Sequence, residues 1–255
     1  NTDKYQQLLR FNSSVSKDEK ELVSLEDYVG RMKKDQKEIY YSLGTSKEAI
    51  DLNPHLEIFK AKGLEVLYLY DPVDEFVVSS IRKHKDFDFK SVDGVDLKEL
   101  DKLEDVEKNE EPKEKFSKED DKAFGKLLLK MKDILGDRVT EVHESKRLKG
   151  SPSCLINPDD TMSSTMQKIL KMSNQGMAMP PQKRLMEINK DHKLIKNLIN
   201  VFKKNESDQF IADTTEQLYE SALLLEGNLE DPHKLVNRLN KMLTDASELY
   251  SKSKE

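Results

Sequence analysis

Apolar positions along this chain alternate between a spacing near two residues and one near 3.6, and the changes fall at turn-forming or helix-capping residues. Ser24-Leu25-Glu26-Asp27-Tyr28 has the form of a helix start, because a serine three residues ahead of an acidic side chain can satisfy the first free N–H groups. Glu38-Ile39-Tyr40-Tyr41 reads as a strand ending in a turn at Gly44, and a helix follows from Ser46. Gly63 to Leu69 is a short apolar run entered through a glycine. Asp71-Pro72 then opens another helix, running through Asp74 to Ser80, with proline where its missing N–H costs nothing. This alternation predicts an α/β layer.

Farther along, Phe116, Phe124, Leu127, Leu128, Met131 and Leu135 keep a helical period that Gly136 stops. Val139 to Val142, Cys154 to Ile156 and Leu185 to Ile188 read as strands. Pro158 and Asp160 introduce a helix from Thr161 to Met172. Residues 173–183, with Gly176, Pro180 and Pro181, read as a loop, and two or three helices fill His192 to Tyr250. The predicted class is a helix-rich α/β (α+β) protein: a small α/β portion, then an α+β domain ending in a helical hairpin. No internal repeat of solenoid length is visible.

Two apolar patterns stand out. Met162, Met166, Ile169 and Leu170 stand at i, i+4, i+7 and i+8 of one predicted helix, in a segment that holds six of the nine methionines within 25 residues. Spacing alone favours a stripe packed into the domain core. Against that, methionine specifies a core poorly and adapts well to varied partners. The second pattern is terminal: Leu218, Ala222 and Leu225, then, across a turn at Gly227 to Pro232, Leu235, Val236, Leu239, Met242 and Leu243, line consecutive helices. Such a hairpin either folds back on its own domain or pairs with a copy of itself in a twofold four-helix bundle.

Composition narrows the function classes. At 36% hydrophobic and 36% charged residues, much of the length belongs to amphipathic helices or solvated connectors. A net charge of −6 offers no concentrated positive surface for phosphates, so nucleic acid is a poor partner. Asp96 to Lys122 holds twelve acidic residues against seven lysines, a net of −5, and is the natural domain boundary. Residues 1–116, with an acidic connector from about 96 to 116, form one predicted domain, and residues 117–255 the other. The single cysteine, Cys154, cannot close an internal disulfide and fits a reducing, cytoplasmic setting, most simply as a small buried hydrophobe. No apolar run approaches the roughly 20 residues of a membrane span, and the first residues, which lack an initiator Met, read as a cut from something longer.

Candidate chemistry adds little. His55, His84, His143, His192 and His233 are scattered, without zinc-site spacing to Cys154 or carboxylates, and neither a GxxxxGK[ST] loop nor a GxGxxG turn is present. A metal site and a small-molecule enzyme are both disfavoured.

A family resemblance runs through Leu8-Leu9-Arg10-Phe11-Asn12-Ser13-Ser14, Ser24 to Met32, Gln36 to Tyr41, Pro54-His55-Leu56-Glu57, Lys62 to Leu67 and Asp71-Pro72-Val73-Asp74-Glu75-Phe76. It resumes at Leu135 to Val139, Arg147-Leu148, Leu218 to Leu224 and Leu229-Glu230-Asp231-Pro232. Over nearly its whole length the chain resembles the ninety-kilodalton heat-shock chaperones, in particular the bacterial HtpG branch. The resemblance implies a piece from the late middle domain through the C-terminal dimerisation domain of an ATP-driven chaperone. Its ATPase domain and phosphate-reaching arginine, and with them ATP and magnesium, would lie upstream of Asn1, leaving no catalytic candidate here. It implies a homodimer joined through the terminal hairpin, a clamp whose client-facing residues are Met162, Met166, Ile169 and Leu170, and possible binding of a cochaperone. A second client contact falls on Phe76, with the polar Ser79 three positions on, where relatives often carry Trp and Asn. The competing reading is a purely structural dimerisation module with no client contact of its own.

Overall fold

The computed structural model describes residues 2–18, 20–103, 106, 116–157 and 183–254. The chain divides into two compact units. Of the described residues, unit 1 contains those up to 106, Lys146–Gly150 and Asn157; unit 2 contains 116–145, Ser151–Ile156 and 183–254.

Unit 1 is built on a five-stranded sheet ordered β1-β3-β2-β5-β4, with β1 Asn12–Ser13, β2 Glu38–Leu43, β3 Leu67–Leu69, β4 Lys83–His84 and β5 Phe87–Ser91. The central strand β2 runs parallel to both β3 and β5, and the short edge strands pair antiparallel. Neighbouring residues on these strands enter different cores. Ile39, Leu67 and Leu69 join Phe11, Leu25, Tyr28 and Val78, while Tyr40, Val66 and Tyr68 join Ile50, Leu56, Phe59 and Leu100. That alternation is the two-residue period of a sheet covered on both faces.

The covering helices in unit 1 are α1 Thr2–Gln6, α2 Leu25–Arg31, α3 Lys47–Asp51, α4 Glu57–Ala61, α5 Pro72–Ile81 and α6 Leu97–Leu100. Ser24 with Asp27, and Asp71 with Asp74, form reciprocal capping boxes at the starts of α2 and α5. Tyr28 pins α2 to the sheet: its buried hydroxyl accepts from the backbone N of Tyr40 at 2.9 Å and the Gln36 amide at 3.1 Å, and donates to the Glu65 carbonyl at 2.8 Å. Burial pushes this phenol above its ordinary range. The opening of the acidic stretch is folded, not a bare connector. Leu100, at the end of α6, and Leu103 just after it are buried.

Unit 2 contains a three-stranded sheet ordered β6-β8-β7, made of β6 Val139–Glu144, β7 Ser153–Ile156 and β8 Arg184–Ile188. β6 is parallel and β7 antiparallel to β8. The helices are α7 Lys118–Leu135, α8 Lys193–Lys204, α9 Gln209–Leu225 and α10 Pro232–Lys252. α7 begins at a Ser117–Asp120 capping box and ends where Gly136 takes a φ of 57°, a conformation a side chain would strain. Phe124, Leu127, Met131 and Leu135 from α7 meet Ile195, Leu198 and Phe202 from α8, and Ile211 and Leu218 from α9, in one core. Cys154 is buried in β7. The described architecture is thus mixed α/β and rich in helix, in two small layered units.

Candidate functional site

The terminal hairpin is built by α9 and α10. Asp208 caps α9 by accepting from the Phe210 N–H. At the other end Gly227, at φ 66°, donates to the Leu224 carbonyl, and Asn228 donates to the Leu223 carbonyl, the paired bonds of a Schellman stop. Asp231 caps α10 through His233, with Pro232 at its first turn. These signals turn the chain sharply and bring α10 back along α9.

α9 carries a row of acids, each answered by a cation. Asp213 takes Lys241 at 2.8 Å and Glu220 takes Arg238 at 2.7 Å, both from α10. Glu216 receives both arms of the Arg138 guanidinium, at 2.7 and 2.5 Å, and Glu226 pairs with Arg184 of β8. Arg138 also lies 5.2 Å from the Tyr219 ring. The Lys241 ammonium holds the Asp213 carboxyl below its usual range by hydrogen bonding. Rising positions on α10 meet falling positions on α9, so the two helices are antiparallel.

The sequence-predicted pairing residues separate into two sets. Leu218 and Ala222 are buried in the core of their own unit, and Leu235 is buried as well. The rest lie outward: Leu225 is exposed, Met242 half-buried, and Val236, Leu239 and Leu243 keep 46%, 41% and 59% of their surface. Leu235 is the one buried residue among the 21 of α10. The exposed apolar row continues to Tyr250, absent from the sequence-based set although it stands seven residues beyond Leu243, two helical turns on the same face, while Leu249 is exposed on another face.

In unit 1, α5 turns Val78 and Glu75 inward and leaves Phe76 and Ser79 exposed, together with Val73, one turn before Phe76 and absent from the sequence-based set. Burial pushes the Tyr41 phenol up to about 12, with the Glu75 charge adding to the shift. Met162, Met166, Ile169 and Leu170 lie outside the described residues. Among the described residues, no group of three His, Cys, Asp or Glu side chains is placed to hold a metal ion, and no helix is long and apolar enough to cross a membrane.

A family model described as "Hsp90 protein" matches residues 1–255. The chain is 46% identical over 251 residues to the chaperone protein HtpG of Oleidesulfovibrio alaskensis, a match covering 98% of this chain and 39% of that protein. It is 38% identical over 250 residues to the chaperone protein HtpG of Nitratidesulfovibrio vulgaris, with the same coverage. Against the chaperone protein HtpG of Geobacter sulfurreducens it is 40% identical over 233 residues, 91% of this chain and 35% of that protein. The chain therefore spans well under half the length of these curated relatives.

Proposed function

The chain belongs to the Hsp90 protein family, and from that premise we propose that it is the pairing and client-handling part of an HtpG-type chaperone, drawn from the late middle and C-terminal domains. Two copies join through α10 and the end of α9. The supporting observation is the exposure of α10: with one buried residue in 21 it has little tertiary packing of its own to hold it helical, and its outward row is apolar. A second copy supplies a matching row by symmetry, because a twofold contact sets the same patch against itself.

Partly unfolded proteins are the proposed clients. Exposed apolar segments of a client gain about 25 cal/mol for each Å² of apolar surface they bury, with little sequence preference. Phe76 and Ser79 on α5 are one proposed contact, supported by the exposure of Phe76 beside Val73. Met162, Met166, Ile169 and Leu170 are the other, supported by their spacing and the adaptability of methionine. The proposed setting is the cytoplasm, where a cochaperone can join. ATP and magnesium belong, on this reading, to the part of the relatives outside the match, and no residue of this chain is assigned to them or to catalysis.

Replacing both Met162 and Met166 with serine tests the client assignment. The expected result is an unchanged melting temperature and a weakened ability to keep an aggregation-prone protein in solution. A lowered melting temperature with unaltered client protection would instead make the stripe core and leave a structural pairing module.

A further inference from the structure

We propose that His84 is a proton-operated latch, which on taking up a proton bridges Gln6 of α1 and Glu26 of α2 and so holds α1 against the outer edge of the unit 1 sheet. The latch lies wholly within unit 1 and does not depend on the pairing of two chains.

The neighbours of His84 dictate where its hydrogen sits. β4 is an edge strand of the sheet, and the Gln6 amide nitrogen donates to the Lys83 carbonyl on it at 3.0 Å. A carbonyl only accepts, so the Gln6 amide cannot be turned the other way, and its Oε1 is the atom that lies 2.7 Å from His84 Nδ1. An amide oxygen also only accepts, so the docked ring must carry a hydrogen on Nδ1. The other ring nitrogen, Nε2, is buried, has no hydrogen-bond partner among the described residues, and lies 3.4 Å from Glu26 Oε1. His84 therefore stands between two acceptors. A neutral ring has one hydrogen for the two, and docking α1 takes it away from Glu26, leaving a lone pair against a carboxylate. An imidazolium has one hydrogen for each.

The charges beside the ring are few. Glu26 gives Oε2 to Lys85 and leaves Oε1 toward His84, and the Lys85 hydrogen bond is the main reason its carboxyl lies below the ordinary value, so it stays ionised. Lys85 opposes a second positive charge but is answered by that same carboxylate. Lys83 pairs with Asp88 at 3.3 Å, and the cross-strand partner of His84, Phe87, is uncharged. Gln6 is also the side chain on which the hold of α1 depends: Lys4 and Tyr5 are exposed, while Gln6 keeps only 7% of its surface. Docking and proton uptake therefore favour one another. The hold is full at low pH and weakens as the pH rises through the range of about 5–8 in which imidazoles as a class lose their charge.

The test follows the amides of Leu8 and Leu9, which donate to the Tyr5 and Gln6 carbonyls, by hydrogen exchange at about pH 5.5 and about pH 8, expressed as protection factors so that the intrinsic pH dependence of exchange cancels. In the unaltered chain protection is expected to be at least about threefold higher at the lower pH. A fully buried charged hydrogen bond would give about tenfold or more, but Glu26 is half exposed and already holds Lys85. In Glu26→Gln the new amide can donate to the neutral Nε2, so docking no longer competes and protection should be the same at both pH values. Ring nitrogen shifts give a second reading that needs no variant: at high pH the neutral ring should carry its hydrogen on Nδ1. Equal protection at both pH values in the unaltered chain would overturn the latch. So would a Glu26→Gln variant that keeps the parent's pH dependence, or a high-pH ring with its hydrogen on Nε2 while α1 remains protected.

Discussion

Leu239→Glu places a charge in the middle of the row that α10 turns outward. Fully burying a leucine contributes roughly 1.5–3 kcal/mol. Leu239 retains 41% of its surface in the single subunit, so covering the remainder contributes about 1 kcal/mol, and about 2 kcal/mol per dimer because a twofold interface uses each position twice. The substitution removes that term and sets two carboxylates in a contact from which water is excluded, where each costs several kcal/mol if fully desolvated. Taking a further 2 kcal/mol as the low end gives a total of about 4 kcal/mol, or roughly a thousandfold rise in the dissociation constant at 1.4 kcal/mol per tenfold. Leu239 belongs to no core cluster of its own unit, so the monomer is expected to keep its helix content and melting temperature. Sedimentation velocity over a dilution series is the assay, with Leu129→Glu as control, since Leu129 on α7 is the same residue type and still more exposed but lies outside the hairpin. The reasoning fails if Leu239→Glu dissociates at the same concentration as the parent, or if the control disrupts pairing as strongly.

Two further outcomes follow from the fold. Tyr28→Phe removes the hydroxyl that accepts from the buried Tyr40 N–H and the Gln36 amide and donates to the Glu65 carbonyl. Orphaned buried groups cost about 1–3 kcal/mol each, so urea unfolding of unit 1 should shift by about 2–4 kcal/mol with its slope unchanged, and a shift below half a kcal/mol would contradict the pin. Asp120, hydrogen-bonded first by Lys203 and then by Ser117, has its carboxyl lowered to about 2. The folded value lies below the unfolded one of roughly 3.9, so its contribution is complete above the unfolded value and disappears as the pH falls through about 2. Melting of Asp120→Asn followed from pH 5 to 2 should be flatter than the parent's, and parallel curves would refute the assignment.

Elements with local chemical signatures could be read from the residues alone. Ser24 with Asp27, Asp71-Pro72 with Asp74, and Ser117 with Asp120 mark helix starts because each cap needs an oxygen at one position and an acid three residues on, a pattern that depends on nothing distant. The β4–β5 hairpin went unread because its turn uses Lys85 at a φ of 53°, and the preceding exit from α5 uses Arg82 at 55°, in place of the glycine or asparagine that usually marks such backbone. Leu100 and Leu103 were lost in the acidic composition around them, although Leu97, Leu100 and Leu103 repeat every three residues and pack on unit 1.

The hairpin shows a different limit. Leu218 and Leu239 have the same chemistry and sit at equivalent spacing, and periodicity cannot tell a face that meets its own core from one left for another molecule. Three-dimensional placement made that distinction, burying Leu218 and Ala222 while leaving Val236, Leu239 and Leu243 outward. The pair that ties the two helices together, Arg238 with Glu220, joins residues 18 apart across a turn, and any of several nearby acids would have matched Arg238 equally well on paper.

The mass of the chain in solution, measured by light scattering across a dilution series from tens of micromolar downward, tests the pairing face most directly. The account predicts twice the 29.5 kDa of one chain at the upper end, falling toward one chain on dilution and falling earlier in Leu239→Glu. A single-chain mass at every concentration would contradict it.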